Sequence, residues 1–212
     1  MSDTTTAIET PAAHVEQPRS KTVNLVEELK VYAAGGRQPE LVQFDGNETP
    51  VIPFSAEGVR VSIHFLDDPN YRGYLRCNGP TCLLCRVGRT LEERILVPVY
   101  RPGMKVIDVV ALTPNMKPGG LKPQLLKVIA SGEPKVALIR KASNSKFELT
   151  ASAIPEDLDD GSAVIAAFTK RVQSGEIDLA DVYPLYDNRL LMEFQSVASI
   201  VKIKGISLDE AH

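Results

Sequence analysis

All three cysteines of the chain, Cys77, Cys82 and Cys85, stand within nine positions. No other feature constrains the fold as strongly. A disulfide framework spreads cysteines along the chain and usually pairs them, whereas an odd number packed into one loop suits a reducing compartment and a metal ion. With His64 the pattern reads His, twelve residues, Cys77, four residues, Cys82, two residues, Cys85. Cys82 and Cys85 have the spacing at which two sulfurs converge on one ion, and Gly79-Pro80 can turn the chain so that Cys77 approaches from the other side. Structural zinc takes four donors in a tetrahedron. Of the three histidines, only His64 lies near the cluster. It is the candidate fourth ligand, with Asp67, Asp68 or water as alternatives. The competing reading makes the cysteines small buried hydrophobes.

The neighbourhood argues against catalysis. A catalytic zinc keeps one position open and needs a general acid or base beside it. The cytidine-deaminase signature places a Glu two residues after its His, but position 66 is Leu. Asp67-Asp68 is the only carboxylate pair nearby, and a zinc enzyme acting on nucleic acid would need such a pair at the metal. The chain has no P-loop, dinucleotide fingerprint or nucleophile elbow. The expectation is one closed, structural zinc and no enzyme.

Charge is distributed unevenly. Between Val59 and Ser152 there are 15 basic and 7 acidic residues, a surplus of eight, although the whole chain carries a net charge of -3. A basic middle between acidic flanks suits a core that meets a polyanion. No run of about 18 apolar residues occurs, so no membrane span is expected. The polar N-terminus lacks a signal-peptide pattern, and a cytoplasmic setting is expected.

Residues 1–22 read as a disordered tail, with a short helix over Thr22–Tyr32 ended by Gly35-Gly36. Residues 37–58 read as irregular or edge segments. Val59, Val61, Ile63 and Phe65 alternate with Arg60, Ser62, His64 and Leu66, as in a strand, and a cysteine loop follows. Ile95–Tyr100 and Lys105–Leu112 flank a turn at Arg101–Met104, and Val136–Arg140 and Lys146–Thr150 flank a second one. Between the hairpins, Leu121, Leu125, Leu126 and Ile129 predict a helix over Leu121–Ala130. Beyond Ile154, Ser162 is a candidate N-cap for a helix ending at Gly175, Asn188–Ile200 reads as helix, and Val201–Ser207 as strand. The fold class is α+β and β-rich. Residues 23–154 are expected to form an OB-type five-stranded barrel with a zinc subdomain at about 64–86, and residues 155–212 a helical C-terminal extension.

His64, Cys77, Cys82 and Cys85, followed by the Ile95–Tyr100 and Lys105–Leu112 strands and the Leu121–Ala130 helix, carry a resemblance. Over roughly residues 59–152 the chain resembles the zinc-containing single-stranded DNA-binding (helix-destabilising) proteins of T-even-type bacteriophages. These combine an OB-type fold with a zinc subdomain of one His and three Cys in this order. The gap between Cys77 and Cys82 is shorter than theirs, and neither a strongly acidic C-terminal tail nor a basic N-terminal arm is evident. The resemblance implies sequence-independent binding of single-stranded DNA in phage or bacterial replication and recombination, within a bacterial or phage-infected cell. RNA remains open, and replication or recombination proteins are the implied partners.

A single strand is held by cations along its phosphates and by aromatic faces on which bases stack. Tyr71-Arg72-Gly73-Tyr74-Leu75-Arg76, running into Cys77, is the most suggestive stretch. Phe65, Tyr71, Tyr74, Tyr100 and Phe147 are candidate stackers, with core packing the favoured alternative for Phe65 and Phe147. Arg60, Arg72, Arg76, Arg101, Lys105, Arg140, Lys141 and Lys146 are candidate phosphate contacts. The alternative function is a non-catalytic, zinc-braced adaptor that binds a protein partner.

Overall fold

The computed structural model describes residues 37–207. The expected tail and the helix over Thr22–Tyr32 lie outside the described residues. Seven strands form one antiparallel sheet: β1 (Thr49–Pro53), β2 (Val59–Asp68), β3 (Tyr71–Arg76), β4 (Leu91–Arg101), β5 (Val106–Leu112), β6 (Lys135–Lys141) and β7 (Phe147–Ala153). Their order is β3-β2-β4-β1-β6-β7, with β5 paired to β4 off this path. Among the described residues five α-helices accompany them, α1 (Leu83–Arg86), α2 (Leu121–Ala130), α3 (Ser162–Gln173), α4 (Asn188–Leu191) and α5 (Gln195–Lys204), with 3-10 turns at Gly79–Thr81 and Leu179–Val182. The class is α+β and sheet-rich, as expected. The closed five-stranded barrel is not found: the terminal strands β3 and β7 do not pair and the sheet stays open.

β4 is the hub. One of its edges carries β5 along Ile95–Arg101. The other edge is shared, with β2 on Leu91–Leu96 and β1 on Val99 and Tyr100. Pro98 falls in the gap between those two neighbours, where no partner on that edge needs an N–H from it. The same logic admits prolines into β1. Thr49, Pro50 and Val51 pair with β6, Ile52 and Pro53 with β4, and no residue of β1 pairs on both sides. A segment whose prolines suggested an irregular run is therefore an interior strand, with Val51 and Ile52 buried.

β3 corrects the expected loop after Leu66. Asp68 faces Tyr71 and Ile63 faces Arg76 across a β2–β3 hairpin. Alternation places Tyr71, Gly73 and Leu75 on one face and Arg72, Tyr74 and Arg76 on the other. The Tyr71 ring lies across Gly73, where a Cβ would stand 3.1 Å from its hydroxyl oxygen, and that hydroxyl donates to the Tyr74 carbonyl.

The C-terminal third is built into the same core. Phe168 of α3, with Ile177, Leu179 and Tyr183, packs with Val61, Ile63, Leu96 and Val109 of the sheet. The chain then passes the outer edge of β3, where Arg76 N–H donates to the Pro184 carbonyl. On the other face Leu191, Val197 and Val201 join Leu66, Leu75, Leu83, Leu84 and Val87. Residues 178–204 thus wrap around one edge of the sheet and cover both its faces.

Several local expectations change for identifiable reasons. Ser162 is the first helical residue and not the cap. The N-cap is Gly161, at φ 73°, and Asp160 accepts hydrogen bonds from both the N–H and the hydroxyl of Ser162. Asn188–Ile200 is interrupted at Met192–Phe194, because Asp68 of β2 accepts the Ser196 N–H and so starts α5 from another strand. Val201–Ser207 is not a strand: the four-residue spacing of buried Val197 and Val201 carries α5 to Lys204, where left-handed Gly205 stops it.

Gly161 combines a positive φ with contact against Tyr100, whose ring carbons would lie 2.6 Å from an added Cβ. At Gly132, φ is also positive but the space is open. Gly132→Ala is expected to cost about 1 kcal/mol, and Gly161→Ala at least ~2 kcal/mol because the clash adds to the strain. Urea-denaturation midpoints of the two variants check this.

Candidate metal centre and nucleic-acid surface

Three elements bring the four donors together. His64 lies in the middle of β2, Cys77 directly follows β3, Cys82 is the N-cap of α1, and Cys85 sits within α1. The hairpin register sets His64 opposite Leu75, so the imidazole faces the side to which the chain returns through Cys77. Left-handed Gly79 turns the chain into the Gly79–Thr81 3-10 turn. The four ligand atoms lie within 4.8 Å of one another. Cys77 Sγ is 3.7 Å from Cys85 Sγ, and His64 Nε2 is 3.3 Å from Cys85 Sγ and 3.6 Å from Cys82 Sγ. A tetrahedron with metal–sulfur bonds of about 2.3 Å and a metal–nitrogen bond of about 2.0–2.1 Å has S···S edges near ~3.8 Å and S···N edges near ~3.6 Å. The observed separations have this size. The cluster can hold one metal ion and is compatible with a structural zinc.

The surroundings favour ligation. His64 Nδ1 lies 3.0 Å from the Thr90 carbonyl, which can only accept, so Nδ1 carries the proton and Nε2 turns its lone pair to the sulfurs. Burial lowers the His64 pKa, so the ring is neutral near pH 7. Burial raises the Cys77 thiol, and it raises Cys85, beside the other sulfurs, to about 12. A bound cation would reverse this preference by stabilising the thiolates.

The loop is tied to the C-terminal segment. The Asn188 side chain accepts the Leu83 N–H at the start of α1 and donates to the Thr81 carbonyl. Asn78 donates to the Tyr186 carbonyl, and Lys204 to the Val87 carbonyl. Neither carboxylate considered as a fourth ligand belongs to the cluster. Asp68 serves α5, and the Ser196 N–H holds its carboxyl below the usual range, while Asp67 lies 3.8 Å from Arg72. Thr90 and Asn188 are the supporting residues that sequence reasoning missed. Both act across long stretches of chain, and no local pattern marks them.

The candidate nucleic-acid contacts separate into groups. Tyr100 is fully buried and offers no face to a base, which corrects its reading as a stacker. Tyr71 packs against Tyr186 and Phe194 under the C-terminal wrap. Tyr74, on the opposite face, meets Phe65 edge-on at 5.1 Å, and the Arg94 guanidinium stands 5.3 Å from its ring centre. Phe65, a candidate stacker with core packing as the favoured alternative, is 38% exposed. Phe147 packs edge-on against Phe44.

Many of the arginines are committed to carboxylates. Arg76 is pinned between Asp178 and Asp181, and Arg101 pairs with buried Asp108, which also holds Arg37. Arg140 pairs with Glu148 and Arg60 with Glu93, though Arg60 stays 61% exposed. Arg72 is 76% exposed with only a distant Asp67 partner. Lys105, Lys141 and Lys146 form no ion pair among the described residues. Lys105 adopts φ 55° in the β4–β5 turn.

Fold and site together define an α+β, sheet-rich domain with a cluster of one histidine and three cysteines able to bind a metal. No family model, curated protein or solved structure matches the chain. No helix among the described residues is long and apolar enough to cross a membrane.

Two measurements check the centre. Titrating metal-free protein with zinc at pH 7.5 should release roughly two or more protons per ion, from Cys77 and Cys85 among the thiols and none from neutral His64, as read from calorimetry in buffers of different ionisation enthalpy. Asn188→Ala leaves the Leu83 N–H and the Thr81 carbonyl without their partner. It should cost about 1–3 kcal/mol in urea unfolding of the zinc-loaded protein.

Proposed function

We propose that this chain is a non-enzymatic, sequence-independent single-stranded DNA-binding protein of phage or bacterial replication and recombination, braced by one structural zinc on His64, Cys77, Cys82 and Cys85. The observation that carries the reading is the Phe65–Tyr74–Arg94 group. It sets part-exposed Phe65 beside the Tyr74 ring on the β2–β3–β4 face, with the Arg94 guanidinium, itself paired to Glu92, against Tyr74, on a hairpin whose far end runs into the metal cluster. Such a surface stacks bases without reading their identity. Arg72 on the Tyr74 face, with Lys141 and Lys146 of the β6–β7 hairpin, supplies phosphate contacts; Arg60 lies on the opposite face, Lys105 at the far β4–β5 turn, and Arg140 shares its charge with Glu148. In this reading the β2–β5 part of the open sheet plays the role of an OB-type platform. The likeness to the T-even-type helix-destabilising proteins rests on the order of the four ligands and the succession of elements, and cytoplasmic replication or recombination proteins are the partners it suggests.

Zinc is favoured over other divalent ions because three thiolates and one imidazole form a soft, closed, four-coordinate donor set. The adaptor reading has one observation in its favour: Leu185, Leu190 and Ile203 are exposed on the C-terminal wrap, Ile203 at 83%. These side chains could meet a protein partner.

Fluorescence polarisation of a labelled mixed-sequence oligonucleotide, at several salt concentrations and with duplex and RNA competitors, tests the proposal. Expected are a preference for the single strand, weakening as salt rises, and a loss of about fivefold or more in affinity for Phe65→Ala. No binding at low salt by zinc-loaded protein would overturn the DNA-binding reading and leave the adaptor.

A further inference from the structure

The cations that remain unpaired lead to a cleft the sequence did not announce. It lies between the segment before α2 and the β6–β7 turn and encloses about 410 Å³. Phe44, Tyr74 and Phe147 contribute aromatic surface, Lys117 and Lys122 line it, and Asn144 stands at the turn. No carboxylate lines it among the described residues. Neither lysine forms an ion pair with any of them. Lys122 donates instead to the neutral Pro114 carbonyl, at 2.5 Å, which anchors the segment and leaves the positive charge uncompensated.

The aromatic wall is held in place before any ligand arrives. Phe44 and Phe147 meet edge-on with ring centres 5.9 Å apart. The backbone of Phe147 is fixed on both sides: its N–H donates to the Gly119 carbonyl, and its own carbonyl accepts from Gln124. Beneath the pair are the buried Leu121, Leu125 and Ile139. The chemistry is therefore that of a pre-set apolar face beside two ammonium groups without carboxylate partners, with side-chain amide capacity at the rim. It suits a flat, polarisable, apolar ring attached to an anion, which is an unpaired nucleotide.

We propose that this cleft is a second base-stacking site for a single nucleic-acid strand, joined through Tyr74 to the Phe65–Tyr74–Arg94 surface, with Lys117 and Lys122 on the phosphates. The proposal rests on the DNA-binding reading and deepens it by placing the path of the strand. Tyr74 belongs to both sites, so the path runs from part-exposed Phe65 at the margin of β2 and β3 over the end of β5 to the start of α2.

The test uses the full-length, zinc-loaded protein and a short mixed-sequence single-stranded DNA. The chain contains no tryptophan, so Phe147→Trp carries a sole indole at the cleft. Its emission should be strongly quenched by oligonucleotide under conditions where polarisation reports full binding. Lys117→Glu changes an exposed residue with no ion-pair partner among the described residues. It should weaken binding by about fivefold or more at low salt and lower the slope of log affinity against log salt by about one or more. Unchanged emission from the bound Phe147→Trp protein, together with wild-type affinity and slope for Lys117→Glu, would overturn the cleft while leaving DNA binding at Phe65 intact. Equal binding of a polyglutamate of matched charge, with the same quenching, would overturn the assignment to nucleic acid. Absence of oligonucleotide binding by the unmodified protein, seen by polarisation, would instead remove the parent reading and the cleft with it.

Discussion

Four donor atoms converge within 4.8 Å at the end of the β2–β3 hairpin, and much of the architecture around them is arranged to hold that convergence. Left as an imidazole and three thiols, the group is a poor core: it packs polarisable atoms with little apolar area to bury, and burial pushes the Cys77 and Cys85 thiols up. Bound to one cation it becomes a cross-link between β2, the end of β3 and α1. A short helix of four residues such as α1 has too few internal hydrogen bonds to persist by itself. It would be held by a metal through Cys82 at its start and Cys85 within it, and it is held by Asn188 at its first turn and by its buried Leu83, Leu84 and Val87.

The C-terminal wrap depends on the same anchor. Residues 178–183 cover one face of β2 and β3, and Tyr186 with α4 and α5 covers the other, with the crossing at the β3 edge closed by the Arg76–Pro184 hydrogen bond. An uncovered β3 would present an unpaired edge, a site for adventitious strand pairing. Covering it buries the His64 face of the hairpin and leaves Phe65 and Tyr74 at the margin of the opposite face. The metal cluster and the aromatic surface therefore occupy opposite sides of one hairpin, and whatever stiffens the cluster also limits how far the rings can move.

Electrostatics divides the basic residues by role. Arg37 and Arg101 neutralise the buried carboxylate of Asp108, and Arg76 ties β3 to the Leu179–Val182 turn through two aspartates. These are structural pairs, and breaking those to Asp108 would strand a charge where solvent is scarce. The lysines are distributed differently. Lys117, Lys122, Lys141 and Lys146 lie on or near the segments flanking α2 and the β6–β7 turn, free of carboxylate partners among the described residues. With exposed Arg72 and the turn residue Lys105, these lysines leave less positive charge unanswered than the full surplus of eight.

Much of the local structure was legible in the chain. Periodicity placed α2 at Leu121–Ala130 with its observed ends, the β4–β5 and β6–β7 hairpins followed from apolar runs around turn residues, and the grouping of His64, Cys77, Cys82 and Cys85 close enough to hold a metal ion followed from residue type and spacing. These are short-range properties, set by side-chain period and by the reach of a few residues. What tertiary structure decided was everything that depends on a neighbour distant in sequence. Pro50, Pro53 and Pro98 are tolerated only because the strands beside them change where the N–H is missing. The open sheet, in place of a closed barrel, follows from β1 lying between β4 and β6. Asp68 becomes the cap of a helix 128 residues away, Tyr100 disappears beneath Gly161, and Arg76 and Arg101 lose their availability to carboxylates. A sequence states which groups are present. Which of them face solvent, and which charges are already answered, is settled only when the chain has folded back on itself.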